Sequence, residues 1–259
     1  MSAIEVAKSR RIAVVTLNRP EARNAINQQM HDELCAFWAS FDRDPTVDVA
    51  ILTGSGSDAF CAGADLKEYI PKWLNRTFQD VRNNVDNGLG GITRGMKVRK
   101  PIIAAVNGWA LAGGFELALA CDVRIASETA RFGSFEIHRG FHHGDGGVVR
   151  LVNSIGVSRT IDILYTGREI TSNEAHRIGL VQYVVPPDAL MKAAEDYALK
   201  LLEKSQVALH SIKETVHSVV GKSLDEALKL EAIFGYSSGD VEFIARQLES
   251  FSAKTTKRT

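Results

Sequence analysis

The sequence has little of several features that would mark a specialised class of protein. It contains three cysteines, Cys35, Cys61 and Cys121, which are far apart and stand among apolar residues or glycines. An odd number at this spacing argues against a disulfide framework or a zinc module and predicts free thiols in a reducing compartment. The 31 basic and 31 acidic residues balance, so no overall charge attracts a polyanion, and no nucleic-acid partner is expected.

Long apolar segments are also missing. No run approaches the ~20 apolar residues of a membrane-spanning helix, and residues 1–15 show neither the apolar segment nor the cleavage site of a secretory signal. We therefore expect no membrane association and a location in the cytoplasm or an organelle matrix. The glycine-rich runs at 88–95 and 144–151 lack the G-x-G-x-x-G spacing after a strand, so no dinucleotide site is predicted.

What the sequence does contain is an alternation of apolar strands and amphipathic helices. Short apolar or β-branched stretches at 10–17, 47–56, 100–108 and 121–127 predict buried strands. Apolar residues at helical spacing predict a helix over 26–44. The pattern indicates an α/β protein with a largely parallel sheet.

The last third of the chain changes character and becomes almost wholly helical. Ser223 and Glu226, for example, form a capping-box pattern at a helix start. We predict an α/β core over residues 1–195 and a helical C-terminal region over residues 196–259. Residues 71–99 are polar, weakly periodic and contain glycine, which indicates a flap.

Two loops of small residues follow buried strands. One is the stretch FCAGA at 60–64, and the other leads into Gly113 and Gly114 at a predicted helix start. Backbone N–H groups from two such loops can form an oxyanion hole. Glu116 stands in the first turn of that helix, where it is either a surface residue favoured by the helix dipole or a buried acid–base group. This stretch alone favours the surface position.

Four stretches together resemble the enoyl-CoA hydratase (crotonase) superfamily. They are residues 60–69, 100–127, 130–140 and 164–186, and the likeness extends from about residue 10 to the C-terminus. The resemblance implies a spiral of ββα units followed by a helical C-terminal region that forms trimers, often paired into hexamers. It also implies an acyl-coenzyme A thioester as the ligand.

The resemblance further implies an enzyme of the hydro-lyase class, an enoyl-CoA hydratase. The N–H groups of Ala64 and Gly113 would hold the thioester oxygen, Glu116 would activate water, and Glu136 would transfer a proton at Cα. The product would be a 3-hydroxyacyl-CoA formed through an enolate. Coenzyme A is part of the substrate, and neither a metal nor another cofactor is expected.

Contacts with the coenzyme A moiety follow from the same resemblance. Arg23 is the expected cation near the pantetheine and phosphate groups, and three C-terminal residues would meet the adenine and its 3′-phosphate, often from a neighbouring subunit. The full set of expected substrate and coenzyme A contacts is Arg23, Ala62, Asp65, Leu66, Gly114, Gly144, Phe234, Phe251 and Lys254.

One loop departs from the family pattern. Hydratases of the family usually carry Gly-x-x-Pro-Gly-x-Gly-Gly where this chain has GFHHGDGG over 140–147. His143 therefore replaces the proline, and Asp145 stands at a position that is usually small. The first interpretation is that the loop histidines bond to backbone or water. The second places His143 or Asp145 near the acyl pocket, with Trp109, where they would select an oxygenated or cyclic acyl group or influence Glu136.

A zinc site in this loop is the least favoured interpretation. His138 and His142 are four residues apart, which would bring them together only on a helix, and the surrounding glycines disfavour one. Three other functions stay open at this point. These are another crotonase-fold reaction, such as hydrolysis of a C–C bond in a β-dicarbonyl acyl-CoA or double-bond isomerisation, a non-catalytic acyl-CoA-binding protein, and a metal-dependent hydrolase.

Overall fold

The computed structural model describes residues 2–68, 71, 75–83, 88–94 and 98–256, of which 81–83 and 250–256 are described by their backbone only. Of the predicted flap at 71–99, residues 72–74, 84–87 and 95–97 lie outside the described residues. Among those described, no helix is long and apolar enough to cross a membrane.

The strands are short and separated by helices or tight turns. In chain order they are β1 (Ile4–Ser9), β2 (Ile12–Leu17), β3 (Val49–Gly54), β4 (Ala59–Cys61), β5 (Ile102–Val106), β6 (Trp109–Leu111), β7 (Val123–Ser127), β8 (Arg131–Gly133), β9 (Glu169–Thr171) and β10 (Tyr183–Val185). The four strands predicted from apolar stretches are β2, β3, β5 and β7, so all four are confirmed.

The helices become longer and more continuous toward the C-terminus. They are α1 (Gln28–Phe41), α2 (Phe78–Asn83), α3 (Gly113–Ala120), α4 (Gly147–Ile155), α5 (Val157–Thr166), α6 (Ser172–Arg177), α7 (Leu190–Leu202), α8 (Gln206–Val219), α9 (Leu224–Ser237) and α10 (Val241–Thr256). Short 3-10 turns occupy Pro20–Ala22, Leu89–Gly91, Phe135–Arg139 and Pro187–Ala189.

Helix boundaries follow the capping signals in the sequence. The Asn27 side chain accepts the N–H of Met30, which starts α1 inside the predicted range. Ser223 and Glu226 form the predicted capping box at the start of α9. The helix predicted at Gly113 begins at that residue.

The main sheet has the order β1-β2-β3-β5-β7-β10. β1 pairs with β2 in antiparallel fashion, and every other neighbouring pair in this sheet is parallel. Strands of a parallel sheet are covered on both faces, which explains why β3 is buried at every position. The predicted largely parallel sheet is confirmed.

The two faces of the main sheet face separate cores. On β3, Val49 and Ile51 point to the side covered by α7, and Ala50 and Leu52 point to the larger core that includes α1. This alternation follows the two-residue period of a strand. α7 therefore packs on the sheet. It ends at Leu202, beyond residue 195, where the predicted α/β core ends.

A second sheet, with the order β4-β6-β8-β9, was not predicted. Each of its strands is three residues long, too short to show a periodic pattern. β4, β6 and β8 run parallel to one another. Because the carboxyl ends of parallel strands meet at one edge, the loops that follow these three strands are brought together.

Helices α8 and α9 bury no residue in this chain. Large apolar side chains are instead exposed on and between α8, α9 and α10: Val207, Ile212, Val216, Val220, Leu224, Leu228, Ile233, Tyr236, Val241, Ile244 and Leu248. A surface this apolar is typical of a protein–protein interface.

Candidate active site

The loops after β4, β6 and β8 line one cavity. Its volume is about 650 Å³. Ten of the residues expected to act on or bind a substrate lie on its wall: Arg23, Ala62, Ala64, Asp65, Leu66, Gly113, Glu116, Glu136, Gly144 and Asp145. Residues separated by more than a hundred positions are thus brought together by the short second sheet.

The N–H groups of Ala64 and Gly113 are both available to a ligand in this cavity. Ile26 donates its N–H to Gly63 O and accepts the N–H of Asp65, so the Ala64 N–H between them points away from Ile26. Gly113 is the first residue of α3, where N–H groups have no partner within the helix. The two backbone segments touch, since a Cβ on Gly63 would lie 3.0 Å from Gly113 N.

Ala112, just before α3, has a strained backbone. Its φ of 52° and ψ of −126° lie in a region that residues with a side chain rarely adopt, at a cost of about 1–3 kcal/mol. Its N–H donates to Gly133 O on β8 at 2.8 Å, which helps to hold this conformation. The strained residue turns the chain sharply from β6 into α3 and thereby presents Gly113 at the cavity.

Glu116 is buried, with only 2% of its surface exposed. Its Oε1 accepts the N–H of Asp145 and that of Gly147, each at 2.8 Å. The surface position favoured by the local sequence is therefore wrong. The loop over 140–147 folds back over α3 and covers the carboxylate, which the sequence of α3 alone could not reveal.

His143 lies between the two glutamates. Its Nδ1 stands 2.7 Å from Glu136 Oε1 and 3.3 Å from Glu116 Oε2. Its Nε2 is 2.6 Å from Ser134 Oγ. The other carboxylate oxygen of Glu136, Oε2, is buried and has no hydrogen-bond partner among the described residues. Glu136 thus meets His143 with one oxygen, and its other oxygen has no partner among the described residues.

The carboxylates set the ionisation of His143. Burial alone would lower the pKa of this imidazole, but contacts with Glu116 and Glu136 outweigh it and raise the pKa to about 9. His143 is therefore an imidazolium at neutral pH. Burial and the charge of Glu116 also raise the pKa of Asp145. For a carboxyl group, a raised pKa favours the neutral form.

Asp145 stabilises the loop beside the acids. Its Oδ1 accepts the Leu89 N–H at 2.9 Å and lies 3.2 Å from Thr93 Oγ1. Arg94 Nε stands 3.4 Å from the same oxygen. The carboxylate therefore fastens the segment 88–94 to the loop over 140–147 and lines the cavity at the same time.

The other two loop histidines bond to backbone, as the first interpretation predicted. His138 Nε2 lies 3.0 Å from Gly167 O, and His142 Nδ1 lies 2.7 Å from His143 O. His138 belongs to a 3-10 turn that ends at Gly140, whose φ is 84°. No helix brings the two histidines together in the described loop, as the glycines predicted.

Among the described residues, donor atoms of Glu116, Glu136 and His143 lie within 4.8 Å of one another, so these three side chains could offer ligands to a cation. The fit to zinc is poor. Ligands held about 2.0–2.1 Å from a tetrahedral ion stand roughly 3.3 Å apart, whereas His143 Nδ1 and Glu136 Oε1 are 2.7 Å apart. A protonated imidazole between two carboxylates accounts for the spacing.

The remaining expected site residues lie elsewhere. Gly114 does not line the cavity and packs against the Cys61 carbonyl, which a Cβ would approach to 2.1 Å. Trp109 lines a second cavity, of about 420 Å³, that shares Arg23 with the first. Phe234 is on α9 and is not among the described lining residues. The side chains of Phe251 and Lys254 lie outside the described residues.

Sequence reasoning did not select Ser134, Arg94 or Arg139. Ser134 fixes the His143 ring from the side opposite the glutamates, and Arg94 and Arg139 line the cavity. Ser134 precedes Glu136 in a stretch already singled out, but nothing in its local sequence shows that it faces His143. That contact depends on how the loop over 140–147 folds.

The chain is similar along nearly its whole length to known proteins. A model of the family described as enoyl-CoA hydratase/isomerase matches residues 7–257. A short-chain-enoyl-CoA hydratase of Clostridium acetobutylicum is 39% identical over 87% of this chain and 85% of its own. A crotonyl-CoA hydratase of Syntrophomonas wolfei is 37% identical over 88% of this chain and 86% of its own.

Solved structures agree with the sequence comparison. The crystal structure of an enoyl-CoA hydratase from Mycobacterium marinum superposes with a TM-score of 0.88 at 31% identity, covering 98% of this chain and 97% of that one. The expected mixed α/β crotonase fold with C-terminal helices is confirmed by this match. With both acids and both small-residue loops at one cavity, the chain belongs to the enoyl-CoA hydratase/isomerase family.

Proposed function

We propose that the protein hydrates a 2-enoyl-CoA thioester to a 3-hydroxyacyl-CoA. The observation that carries the proposal is the convergence of Glu116 and Glu136 on one cavity wall, beside the N–H groups of Ala64 and Gly113. Relatives of the family named for hydration of enoyl-CoA support the same activity.

The chemistry divides between the four groups. Glu116 takes a proton from water as the oxygen attacks Cβ, and the electrons of the double bond move to the thioester oxygen. The Ala64 and Gly113 N–H groups stabilise that enolate, a contribution that typically changes turnover about 10²–10³-fold for one donor. Glu136 then gives a proton to Cα. The protein's own side chains supply every proton transfer, and we propose no metal or other cofactor.

The coenzyme A moiety would lie along the wall formed by Ala62, Asp65 and Leu66, with Arg23 beside its phosphates. Asp65 is held in place by Arg19, whose Nη1 lies 3.0 Å from Asp65 Oδ2. Gly144 would contact the substrate at the opposite wall. Phe234, Phe251 and Lys254 would reach the adenine end of a ligand bound to a neighbouring subunit.

A homotrimer or a dimer of trimers is proposed as the assembly. Apolar residues exposed on α8, α9 and α10 support burial of these helices against other subunits. We also propose that the core is a spiral of ββα units, that 196–259 is the oligomerisation region, and that the enzyme acts in the cytoplasm.

A panel of acyl-CoA esters tests the activity. We expect hydration of crotonyl-CoA or of a longer, cyclic or aromatic 2-enoyl-CoA, followed as loss of the ultraviolet absorbance of the conjugated thioester. Glu136→Gln should abolish it. If the protein cleaved a β-dicarbonyl acyl-CoA or isomerised a 3-enoyl-CoA without hydrating any ester, another reaction of this family would replace the proposal. If it bound esters but turned over none of them, an enzymatic role would be contradicted.

A further inference from the structure

We infer that His143 is a positioning residue that stores the proton exchanged between Glu116 and Glu136 and returns it from one carboxylate to the other in each turnover. This inference rests on the proposed hydration. It assigns a role to the residue that lies between the two acids.

The geometry places one imidazole nitrogen between the two acids. Nδ1 is 2.7 Å from Glu136 Oε1 and 3.3 Å from Glu116 Oε2. Neither contact has the alignment of a hydrogen bond, so the ring must turn toward one oxygen or the other before a proton passes. Ser134 fixes the other nitrogen. Gly147 leaves the room for the ring, because a Cβ there would lie 2.6 Å from His143 Cγ.

His143 reaches the reaction only through the glutamates. The side chain is 1% exposed, and the residue is not part of the described cavity wall, whereas both glutamates are. Glu136 faces His143 with Oε1 and has the unpartnered Oε2 on its other side. A proton received at Oε1 can therefore reach Cα once the carboxyl group turns about its Cγ–Cδ bond and brings the protonated oxygen toward the substrate.

The charges around His143 favour its protonated form. Glu116 on α3 and Glu136 in the 3-10 turn face the imidazole directly. Asp145 in the loop adds a carboxylate that acts on Glu116, while Arg94 acts on Asp145 and Arg150 on α4 acts on Glu116 and Asp145. Contacts with Glu116 and Glu136 outweigh the effect of burial and favour the imidazolium.

The cycle conserves protons. Water gives its oxygen to Cβ and one proton to Glu116, and Glu136 gives one proton to Cα as the enolate collapses. The imidazolium then protonates Glu136 at Oε1, and Glu116 returns its proton to Nδ1. The carboxyl group of Glu136 turns to bring its new proton toward Cα, which restores the starting state. One water has been added, and the site holds as many protons as before.

The ionisation of His143 can be measured without substrate. Of the seven histidines, His143 is assigned in a spectrum of ¹⁵N-histidine-labelled enzyme as the imidazole lost in His143→Gln. We expect its titration midpoint near pH 9, in line with the raised pKa of about 9. A midpoint at or below its ordinary value of 6.5, or a ring that stays neutral throughout, would overturn the inference.

The pH dependence of turnover tests the return of the proton. With an enoyl-CoA that the wild type hydrates, kcat should fall as pH rises through about 9, where the stored proton is lost. In His143→Gln the alkaline limb should move down by at least about one pH unit. KM should stay within about threefold, because the residue does not touch substrate.

A matched variant separates this role from a structural one. His176 lies on α6, with Nδ1 3.1 Å from Val181 O, so His176→Gln should leave the pH profile unchanged. An alkaline limb that is the same in His143→Gln and in the wild type, whatever the loss in rate, refutes the relay. If no enoyl-CoA is hydrated by the wild type, the proposed function fails, and the titration still decides the charge of His143.

Discussion

Replacement of Glu116 by Gln or by Ala should separate the chemical role of this side chain from its structural role. Oε1 of Glu116 accepts two backbone N–H groups, from Asp145 and Gly147, at 2.8 Å each. A glutamine can present its own Oε1 to both donors, so the loop over 140–147 stays in place. What it loses is the oxygen that faces His143 and the capacity to take a proton from water.

The magnitudes follow from these contacts. Loss of a general base typically costs about 10²–10⁴ in rate, so kcat of Glu116→Gln should fall by that factor while its stability changes by only about 1 kcal/mol. In Glu116→Ala both buried N–H donors lose a charged acceptor, at about 1.5–3 kcal/mol each. That variant should therefore be inactive and also several kcal/mol less stable than the wild type.

Chemical denaturation and hydration assays on the same preparations check both expectations. The free energy of unfolding gives the structural effect, and loss of thioester absorbance gives the rate. A Glu116→Gln enzyme that retains more than about a tenth of wild-type kcat would refute the assignment of Glu116 to water activation. Equal destabilisation in the two variants would refute the account of the two N–H contacts.

Three further predictions concern neighbouring groups. Gly113→Ala places a methyl group 2.3 Å from Leu89 Cδ2 and 3.6 Å from Ala64 N. We therefore expect kcat/KM to fall about 10²-fold. Full activity would argue against an oxyanion hole formed by the Ala64 and Gly113 N–H groups. The rise of the His143 pKa from 6.5 to about 9 should stabilise the fold by ~3 kcal/mol. This stability is fully present below pH 6.5 and lost as pH rises through 9. The free energies of unfolding of the wild type and His143→Gln should therefore differ most at low pH. A difference that does not change with pH would contradict this prediction. Elemental analysis of the purified enzyme should find less than about 0.1 equivalent of zinc. If a chelator removed one equivalent of metal and abolished activity, we would conclude that Glu116, Glu136 and His143 bind a metal.

Four of the six strands of the main sheet, all but β1 and β10, were predictable because they are long enough to show a pattern. β2, β3, β5 and β7 are stretches of five or six mostly apolar or β-branched residues, which is typical of strands buried on both faces. The three-residue strands of the second sheet carry no such signal. Their pairing is decided by contacts between distant segments, yet they bring the catalytic loops together.

The active-site residues were predictable only in part. Ala64, Gly113, Glu116 and Glu136 were identified through family motifs, since the local sequence of α3 favoured a surface position for Glu116. The position of His143 between the acids could not be read from the sequence. It depends on the backbone path between Gly140 and Gly146, whose φ values of 84° and 91° turn the loop back over α3.

The most direct test of the central claim is a crystal structure of the enzyme with a bound acyl-CoA substrate analogue. The thioester oxygen should lie about 2.7–3.1 Å from both Ala64 N and Gly113 N, with Cα and Cβ facing Glu136 and Glu116. A thioester oxygen bound away from either amide, or reacting carbons beyond reach of the two carboxylates, would contradict the mechanism.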